Sequence, residues 1–198
     1  MNDALLYLVR HAEAAGDEVG DPALSARGRD QARLLGSRLT GTRAAAVLHS
    51  PRLRAVQTAA IVAESLPGTP VVASDLVDDR TPVPSTARRD DYPPRYLPRL
   101  DETPADERDV DAVALTRSVA ALAAEAVRRA EEGALVVVTH AFVIGWFVRA
   151  ALDAPTWRWV GLNPTNTSLT VIRYSADGTG TLVAFNDDSH LPSTQDAG

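Results

Sequence analysis

The fold is decided by one stretch near the start of the chain, which reads Leu5-Leu6-Tyr7-Leu8-Val9-Arg10-His11-Ala12-Glu13. Its first five residues form a continuous apolar run, and such a run is typical of a strand in a parallel sheet that is covered on both faces. An arginine and a histidine follow at once, where that strand must end. Because ligands of parallel sheets bind at the carboxyl ends of the strands, the stretch predicts an α/β protein whose functional groups collect at that edge.

Three other apolar runs predict strands that are buried in the same way. They are Ala44–Leu48, Pro70–Ala73 and Ala134–Val138. Segments of helical period alternate with the strands, and the predicted helices are Ser25–Leu39, Pro51–Leu66, Val110–Glu132 and Phe142–Leu152. Two last strands, Thr167–Tyr174 and Thr181–Asn186, flank an Asp-Gly turn that is typical of a hairpin. This order predicts a three-layer α/β/α sandwich with a mainly parallel sheet.

Composition and charge exclude several classes of protein. The chain has 198 residues, 45% of them hydrophobic and 23% charged, which is typical of one folded domain. A net charge of −6 disfavours nucleic acid and anionic membranes as partners, and the lack of cysteine excludes disulfides and thiolate chemistry. All 20 lysine or arginine positions are arginine, a bias that indicates a GC-rich bacterial genome. With no membrane-length apolar run and no basic leader at its start, the chain is expected to be cytoplasmic.

One segment departs from the alternation of strands and helices. Between Asp75 and Glu107 the chain has six prolines, many charges and only scattered apolar residues. An insertion of that length after the third strand is more often a lid or a substrate-binding loop than a linker. We therefore predict one domain over residues 1–192, with residues 75–107 as its lid and residues 193–198 as a flexible tail.

Three strand-to-helix junctions carry residues that suit the binding of a phosphoryl group. The first strand ends at Arg10-His11, the second is followed by Arg54 on the next helix, and the fourth ends at His140. At one edge of the sheet these residues would form a pocket with two histidines and two arginines. Guanidinium groups match phosphoryl oxygens, and neighbouring arginines keep an imidazole neutral and nucleophilic. Such a pocket needs no metal ion to neutralise the phosphoryl charge.

Four motifs in order resemble those of the histidine phosphatase superfamily, also called the phosphoglycerate mutase-like family. They are Leu8-Val9-Arg10-His11-Ala12-Glu13, Leu24-Ser25-Ala26-Arg27-Gly28, the run from Ser50 to Ala59, and Val138-Thr139-His140. Each motif alone is a weak signal, but four motifs at their expected elements make a specific one. The resemblance implies that His11 is the nucleophile that accepts the phosphoryl group. It also implies that Arg10 and Arg54 bind the phosphoryl oxygens and that His140 completes the pocket.

The family also places an acidic residue after the third strand, where it protonates the leaving oxygen. In this chain Asp78 is the best match for that acid, and Asp79 is the next. Further candidates for the substrate pocket are Glu13, Asp79, Ala141 and Phe142. The resemblance implies no cofactor and no metal ion.

The function that the resemblance predicts is a metal-independent phosphatase, which hydrolyses phosphate monoesters through a phosphohistidine on His11. Three alternatives stay open: a protein phosphohistidine or phosphoserine/threonine phosphatase, mutase-type phosphotransfer, and a non-catalytic phosphate-binding regulatory domain. The expected partner is a small phosphorylated metabolite or a phosphoprotein, with neither nucleic acid nor a membrane. The sequence leaves the oligomeric state open.

Three other basic side chains near these motifs are interpreted as structural. His49 ends the second strand, at a position that the family fills with many residue types, and His190 lies in a polar run near the end of the chain. Arg52 is two residues away from Arg54, so on a helix the two side chains point in different directions. We expect Arg52 to face solvent or the rim of the pocket.

Overall fold

The computed structural model describes residues 4–16 and 20–192. Its strands are β1 (Ala4–Arg10), β2 (Ala44–His49), β3 (Val71–Ala73), β4 (Thr81–Val83), β5 (Arg108–Val110), β6 (Ala134–Thr139), β7 (Leu169–Tyr174) and β8 (Gly180–Asp187). Its α-helices are α1 (Ala26–Leu39), α2 (Leu53–Ala63), α3 (Leu97–Asp101), α4 (Val113–Arg128) and α5 (Ala141–Ala151). Short 3₁₀ turns lie at Asp75–Val77, Thr86–Asp91, Pro94–Tyr96 and Arg158–Gly161.

Six strands form one sheet in the spatial order β3-β2-β6-β1-β7-β8. The pairs β2–β3, β2–β6 and β1–β6 are parallel, whereas β7 pairs antiparallel with both β1 and β8. Pairing of β1 with β6 runs from Leu6 opposite Leu135 to Arg10 opposite Thr139. The two strands therefore end side by side, and the residues that follow them become neighbours.

Helices cover both faces of this sheet, because each face carries its own apolar side chains. On one face, α1 and α2 pack against β1, β2 and β6 through residues such as Leu35, Ala55 and Val62. On the other face, α4 and α5 pack against the same strands through residues such as Leu122 and Phe147. Burial of these side chains supplies the main driving force for folding. The predicted three-layer α/β/α sandwich is confirmed.

Two expectations about single elements need correction. The third strand is not buried on both faces: Val71 and Val72 are 43% and 47% exposed, since β3 is an edge of the sheet. The third long helix begins at Val113 and not at Val110, because Arg108–Val110 forms β5. Asp111 and Ala112 then take positive φ angles of 55° and 54°, which no α-helix contains.

Residues 75–107 consist of short turns around β4 and α3. Four of their side chains are buried in the core beside α4 and α5, namely Val77, Val83, Tyr92 and Leu100. The sequence did not predict the parallel pair of β4 with β5. This pair joins the first part of the segment to the residues that follow its end. The predicted tail at residues 193–198 lies outside the described residues. Within the described part of the chain, no helix is long and apolar enough to cross a membrane.

Candidate active site

The carboxyl ends of β1 and β6 and the start of α2 border a cavity of about 300 Å³. Its walls are Arg10, His11, Arg54, Asp79, Arg99, Glu107, His140, Ala141, Phe142 and Asn163. The backbone N–H of His11 donates to the carbonyl of Thr139 at 2.8 Å, and this bond extends the β1–β6 ladder past the end of β1. The four residues that the sequence assigned to a phosphoryl pocket thus lie around one cavity.

His11 is buried, with 1% of its surface exposed, and its ring is held by two hydrogen bonds. Nδ1 donates to the carbonyl oxygen of Ala12 at 2.8 Å, and Nε of Arg54 donates to Nε2 at 3.2 Å. Because a carbonyl only accepts, the proton of the neutral ring lies on Nδ1 and the lone pair lies on Nε2. Burial, aided by the positive charges of Arg54 and Arg10, lowers the pKa of His11 to about 3. The ring is therefore neutral at physiological pH, and its acceptor nitrogen faces Arg54.

Arg54 lies in the first turn of α2, and all three nitrogens of its guanidinium group make contacts. Besides the bond from Nε to His11, one terminal nitrogen contacts Asp21 at 3.3 Å and the other donates to Asp79 at 2.6 Å. Two carboxylates thus hold the fork of a buried arginine at the base of the cavity. A phosphoryl oxygen that binds this fork must compete with them, since carboxylate and phosphoryl oxygens use the same donors.

His140 follows the last residue of β6 and occupies the N-cap position of α5, and its ring lies against that of His11. The two ring centroids are 5.2 Å apart. Nδ1 lies 3.2 Å from Asp79, and Nε2 lies 2.8 Å from the hydroxyl of Ser50. Burial, with smaller contributions from His11 and Arg54, keeps the pKa of His140 well below its usual value. A second neutral imidazole therefore lies beside the first.

Arg10 reaches the cavity from the last position of β1. One terminal nitrogen donates to the carbonyl of Pro164 at 2.9 Å, and the Arg10 carbonyl accepts from the backbone of Thr167 at 2.9 Å. The side-chain amide of Asn166 donates to the carbonyl of His11, also at 2.9 Å. The loop before β7 therefore contacts the Arg10-His11 pair on one side, and Arg54 of α2 contacts it on the other.

The structure separates the two aspartates that the sequence proposed as the general acid. Asp79 lines the cavity, whereas Asp78 turns away and contacts Arg52 at 3.3 Å and the hydroxyl of Ser50 at 3.4 Å. Of the two, Asp79 is therefore the one that lines the cavity, since adjacent residues in extended backbone point in opposite directions. Arg52 is not among the residues of the cavity wall.

Glu13, a candidate for the substrate pocket, is not among the residues of the cavity wall. Its carboxylate accepts from the hydroxyl of Ser25 at 2.7 Å and lies 3.6 Å from Arg27, both at the start of α1. Glu13 thus fastens the first loop to that helix. The other two candidates, Ala141 and Phe142, line the cavity.

Four residues around the site went unassigned in the sequence. Asp21 caps α2 by accepting from the backbone N–H of Leu53 at 2.9 Å, and Arg99, Glu107 and Asn163 form part of the cavity wall. Neither Asp21 nor Asn163 belongs to a periodic segment. Both residues lie in loops, and the spacing of residues in the sequence does not define the path of a loop.

His49 provides a contrast to His11 at the end of the neighbouring strand. Its Nδ1 makes the same bond to the carbonyl of the next residue, Ser50, at 2.9 Å, but it is not among the residues of the cavity wall.

Residues 4–16 and 20–192 contain no group of three or more potential ligands, among His, Cys, Asp and Glu, that could hold a metal ion.

Comparison with protein families gives a match over most of the chain. The sequence profile of the histidine phosphatase superfamily (branch 1) matches residues 6–188. The human mitochondrial serine/threonine-protein phosphatase PGAM5 is 28% identical over 193 residues, which cover 94% of this chain and 63% of the human protein. The corresponding Caenorhabditis elegans protein is 29% identical over 191 residues, with 94% and 64% covered. The chain thus spans less than two-thirds of the length of these relatives.

Solved structures share the fold at lower sequence identity. A structure described as mycobacterial hydrolase 2 superposes with a TM-score of 0.74 at 22% identity, covering 98% of this chain and 95% of that one. A mutant phosphoserine phosphatase from Entamoeba histolytica, in complex with phosphoserine, gives a TM-score of 0.69 at 19% identity and covers 95% and 99%. At these identities the likeness concerns the fold alone.

Proposed function

The chain belongs to the histidine phosphatase superfamily (branch 1), and on that premise we propose that it hydrolyses phosphate monoesters through a phosphohistidine on His11, without a metal ion. One observation carries the proposal. The unprotonated nitrogen of a buried, neutral His11 lies 3.2 Å from an arginine nitrogen in a cavity that also holds a second arginine and a second histidine. A site that only binds phosphate has no use for a neutral imidazole among arginines.

In the first chemical step, Nε2 of His11 attacks phosphorus and the ester P–O bond breaks. The oxygens of the phosphoryl group take the donors of Arg10, Arg54 and His140, which hold the group in line with the attacking nitrogen. The electron pair of the broken bond leaves with the ester oxygen. The bond from Arg54 to Nε2 must open first, because a lone pair that accepts a hydrogen bond cannot attack phosphorus.

Asp79 supplies the proton to the leaving oxygen in this scheme. In the free protein its carboxylate is an ion-pair partner of Arg54, at 2.6 Å. A phosphoryl dianion that takes over Arg54 releases Asp79 and places negative charge beside it, and both changes favour its protonated form. Substrate binding thereby converts a structural carboxylate into a general acid.

In the second step a water molecule attacks phosphorus and the N–P bond breaks. Asp79, now ionised, accepts the proton of that water, and the products are inorganic phosphate and neutral His11. The protein is then ready for another substrate. If a second hydroxyl group of the substrate replaced water, the same intermediate would give mutase-type transfer.

A second candidate function is the dephosphorylation of phosphoserine or phosphothreonine in proteins. The observation that favours it is the similarity to relatives named as serine/threonine-protein phosphatases, which extends over 94% of this chain. Both candidates use the same pocket and the same intermediate, so they differ only in what surrounds the phosphoryl group.

The decisive experiment is hydrolysis of p-nitrophenyl phosphate with EDTA present, by the wild type and by the His11→Asn variant. We expect turnover in the wild type, a loss of at least about 10⁴-fold in the variant, and an acid-labile phosphoryl group on His11 after rapid quenching. His49→Asn is the matched control and should keep its activity, because His49 lies outside the cavity wall. Turnover that needs added metal, or that survives in His11→Asn, would overturn the proposal.

A further inference from the structure

We propose that Ser50 is a positioning residue for His140: its hydroxyl donates to Nε2 of that histidine and so keeps the Nδ1–H of the ring as a donor to the phosphoryl group. This inference deepens the proposed phosphatase function and rests on it for its kinetic consequences. Its starting point is a row of three side chains, in which Ser50 contacts His140 and His140 contacts Asp79.

The contact of His140 with Asp79 determines which ring nitrogen carries the proton. Nδ1 lies 3.2 Å from a carboxylate oxygen of Asp79, and a carboxylate only accepts hydrogen bonds. Burial lowers the pKa of His140, so the ring carries one proton, and that proton lies on Nδ1. A terminal nitrogen of Arg54 also lies 3.4 Å from Nδ1, but it is closer to Asp79, at 2.6 Å, and donates there. Nε2 of His140 therefore has the lone pair.

The hydroxyl of Ser50 supplies the donor that this lone pair needs. Its oxygen lies 2.8 Å from Nε2 of His140 and 3.4 Å from Asp78, so its single proton goes to the nearer acceptor. The backbone N–H of Arg52 donates to the same oxygen at 3.3 Å. Ser50 thus accepts from the chain that follows it and donates to His140.

Ser50, His140 and Asp79 have the order of contacts of a Ser-His-Asp triad, but Ser50 is not placed to act as a nucleophile. In such a triad Nε2 of the histidine faces the serine and Nδ1–H faces the aspartate, as in this protein. Ser50 is completely buried and is not among the residues of the cavity wall, so its oxygen does not reach phosphorus. Its effect on the reaction must pass through His140.

Substrate binding changes the partner of Nδ1 and leaves the partner of Nε2 in place. In the proposed reaction the phosphoryl group takes over Arg54 and releases Asp79, so the Nδ1–H of His140 passes from that carboxylate to a phosphoryl oxygen. The bond from Ser50 holds the ring during this exchange and keeps the proton off Nε2, which faces away from the cavity. A donor that is oriented in advance stabilises the transferring group without a reorganisation of the ring.

Nitrogen-15 spectra of the histidine rings test the position of the proton directly. The chain has four histidines, and the signals of His140 are those that the His140→Asn variant lacks. We expect the wild type to show Nδ1 of His140 as an N–H and Nε2 as a bare, hydrogen-bonded nitrogen. In Ser50→Ala the Nε2 resonance should move downfield, because its donor is gone. An Nε2–H in the wild type, or an unchanged Nε2 resonance in Ser50→Ala, overturns the inference.

A double-mutant cycle tests whether Ser50 acts through His140. We expect Ser50→Ala to lower kcat/KM for p-nitrophenyl phosphate by about 10–50-fold, which is less than the loss of a whole donor costs. In a His140→Ala background the same substitution should change kcat/KM by less than about twofold, because the ring that Ser50 positions is absent. Equal losses in both backgrounds would indicate a general structural role and overturn the inference, and so would full activity of Ser50→Ala.

Ser118→Ala is the matched control. Ser118 is also buried, but its hydroxyl donates to the carbonyl of Ala114 within α4 at 3.1 Å, and it is not among the residues of the cavity wall. This variant should keep the wild-type kcat/KM and the His140 resonances. If thermal unfolding shows that Ser50→Ala does not fold, the wild-type spectrum decides: an Nδ1–H on His140 supports the inference and an Nε2–H overturns it.

The failure of this inference can be distinguished from a failure of the proposed function. If p-nitrophenyl phosphate is hydrolysed and the losses in the cycle are additive, only the role of Ser50 is wrong. If nothing is hydrolysed, the function is wrong, and the same cycle is then measured as calorimetric affinity for inorganic phosphate. A loss of affinity in Ser50→Ala that vanishes in the His140→Ala background supports the role of Ser50. Equal losses in both backgrounds, or no loss, overturn it.

Discussion

Two regions meet at the cavity, and they are built on different principles. The strand-end region supplies Arg10, His11 and His140 from the ends of β1 and β6, whose backbones are held by parallel pairing inside the sheet. The segment of residues 75–107 supplies Asp79 and Glu107 from irregular backbone and Arg99 from the short helix α3. Few substitutions are tolerated in the first region, because they would disturb the packing of the buried sheet. The second can vary the side chains that line the cavity while its four buried apolar residues keep it packed on the sandwich.

The interactions that hold each region also differ. His11 and His140 are buried and fixed by hydrogen bonds to backbone or to a buried hydroxyl group. In the other region an exposed pair of Arg89 and Asp101 joins a 3₁₀ turn to α3, and exposed ion pairs contribute little to stability. We infer that the strand-end region performs the chemistry and that residues 75–107 determine which ester is accepted.

After the loss of the nucleophile itself, the largest effect should come from Arg54, which lies at the start of α2 and contacts His11 in the strand-end region. We expect Arg54→Gln to lower kcat/KM for p-nitrophenyl phosphate by about 10³-fold, because it removes the donors aimed at the phosphoryl oxygens. Arg52→Gln, two residues away, should change the value by less than about fivefold, since Arg52 contacts Asp78 outside the cavity.

Thermal unfolding of both variants controls for misfolding, because Arg54 is buried and its loss leaves Asp21 and Asp79 without their shared cation. Suppose that both variants unfold as the wild type does and lose equal activity. The position of Arg54 in the cavity would then not distinguish its role from that of Arg52.

A smaller and more selective effect is expected at the boundary between the regions, where Asp78 and Asp79 are adjacent. Asp79→Asn should lower kcat by about 10²-fold for an alkyl phosphate, whose leaving oxygen needs a proton, and by only a few fold for p-nitrophenyl phosphate. Asp78→Asn should have little effect on either substrate, because its side chain faces Ser50 and Arg52. The reverse pattern would restore Asp78 as the acid and contradict the assignment.

The same division explains what the sequence could predict. Apolar runs define β1, β2 and β6 because buried strands exclude polar residues, and the residues at their ends follow directly. Asp79 and Arg99 could not be placed in this way, since residues 75–107 have no period and their turns are set by contacts with α4 and α5. The pairing of Asp21 with Arg54 connects positions 33 residues apart in sequence through a loop, and no local pattern encodes it.

The smallest predicted effect concerns stability and arises from His11 itself. The pKa of His11 is about 3 in the folded protein and about 6.5 when unfolded. Between these values the unfolded chain binds a proton that the folded protein does not bind, so the free energy of unfolding falls as the pH falls. The contribution is about 1.4 kcal/mol per pH unit within that window, and it is absent above pH 6.5.

Urea unfolding of the wild type and of His11→Asn between pH 6.5 and 4.5 measures this contribution. The variant should lose less stability than the wild type as the pH falls, by roughly 2 kcal/mol over the interval, because asparagine does not titrate. Parallel curves would show that the fold does not hold His11 neutral.

The same shift bears on catalysis: a nucleophile with a pKa near 3 cannot cause a loss of kcat/KM near pH 6. We expect any such loss to follow the second ionisation of the phosphate ester, and it should therefore move to lower pH with a more acidic ester.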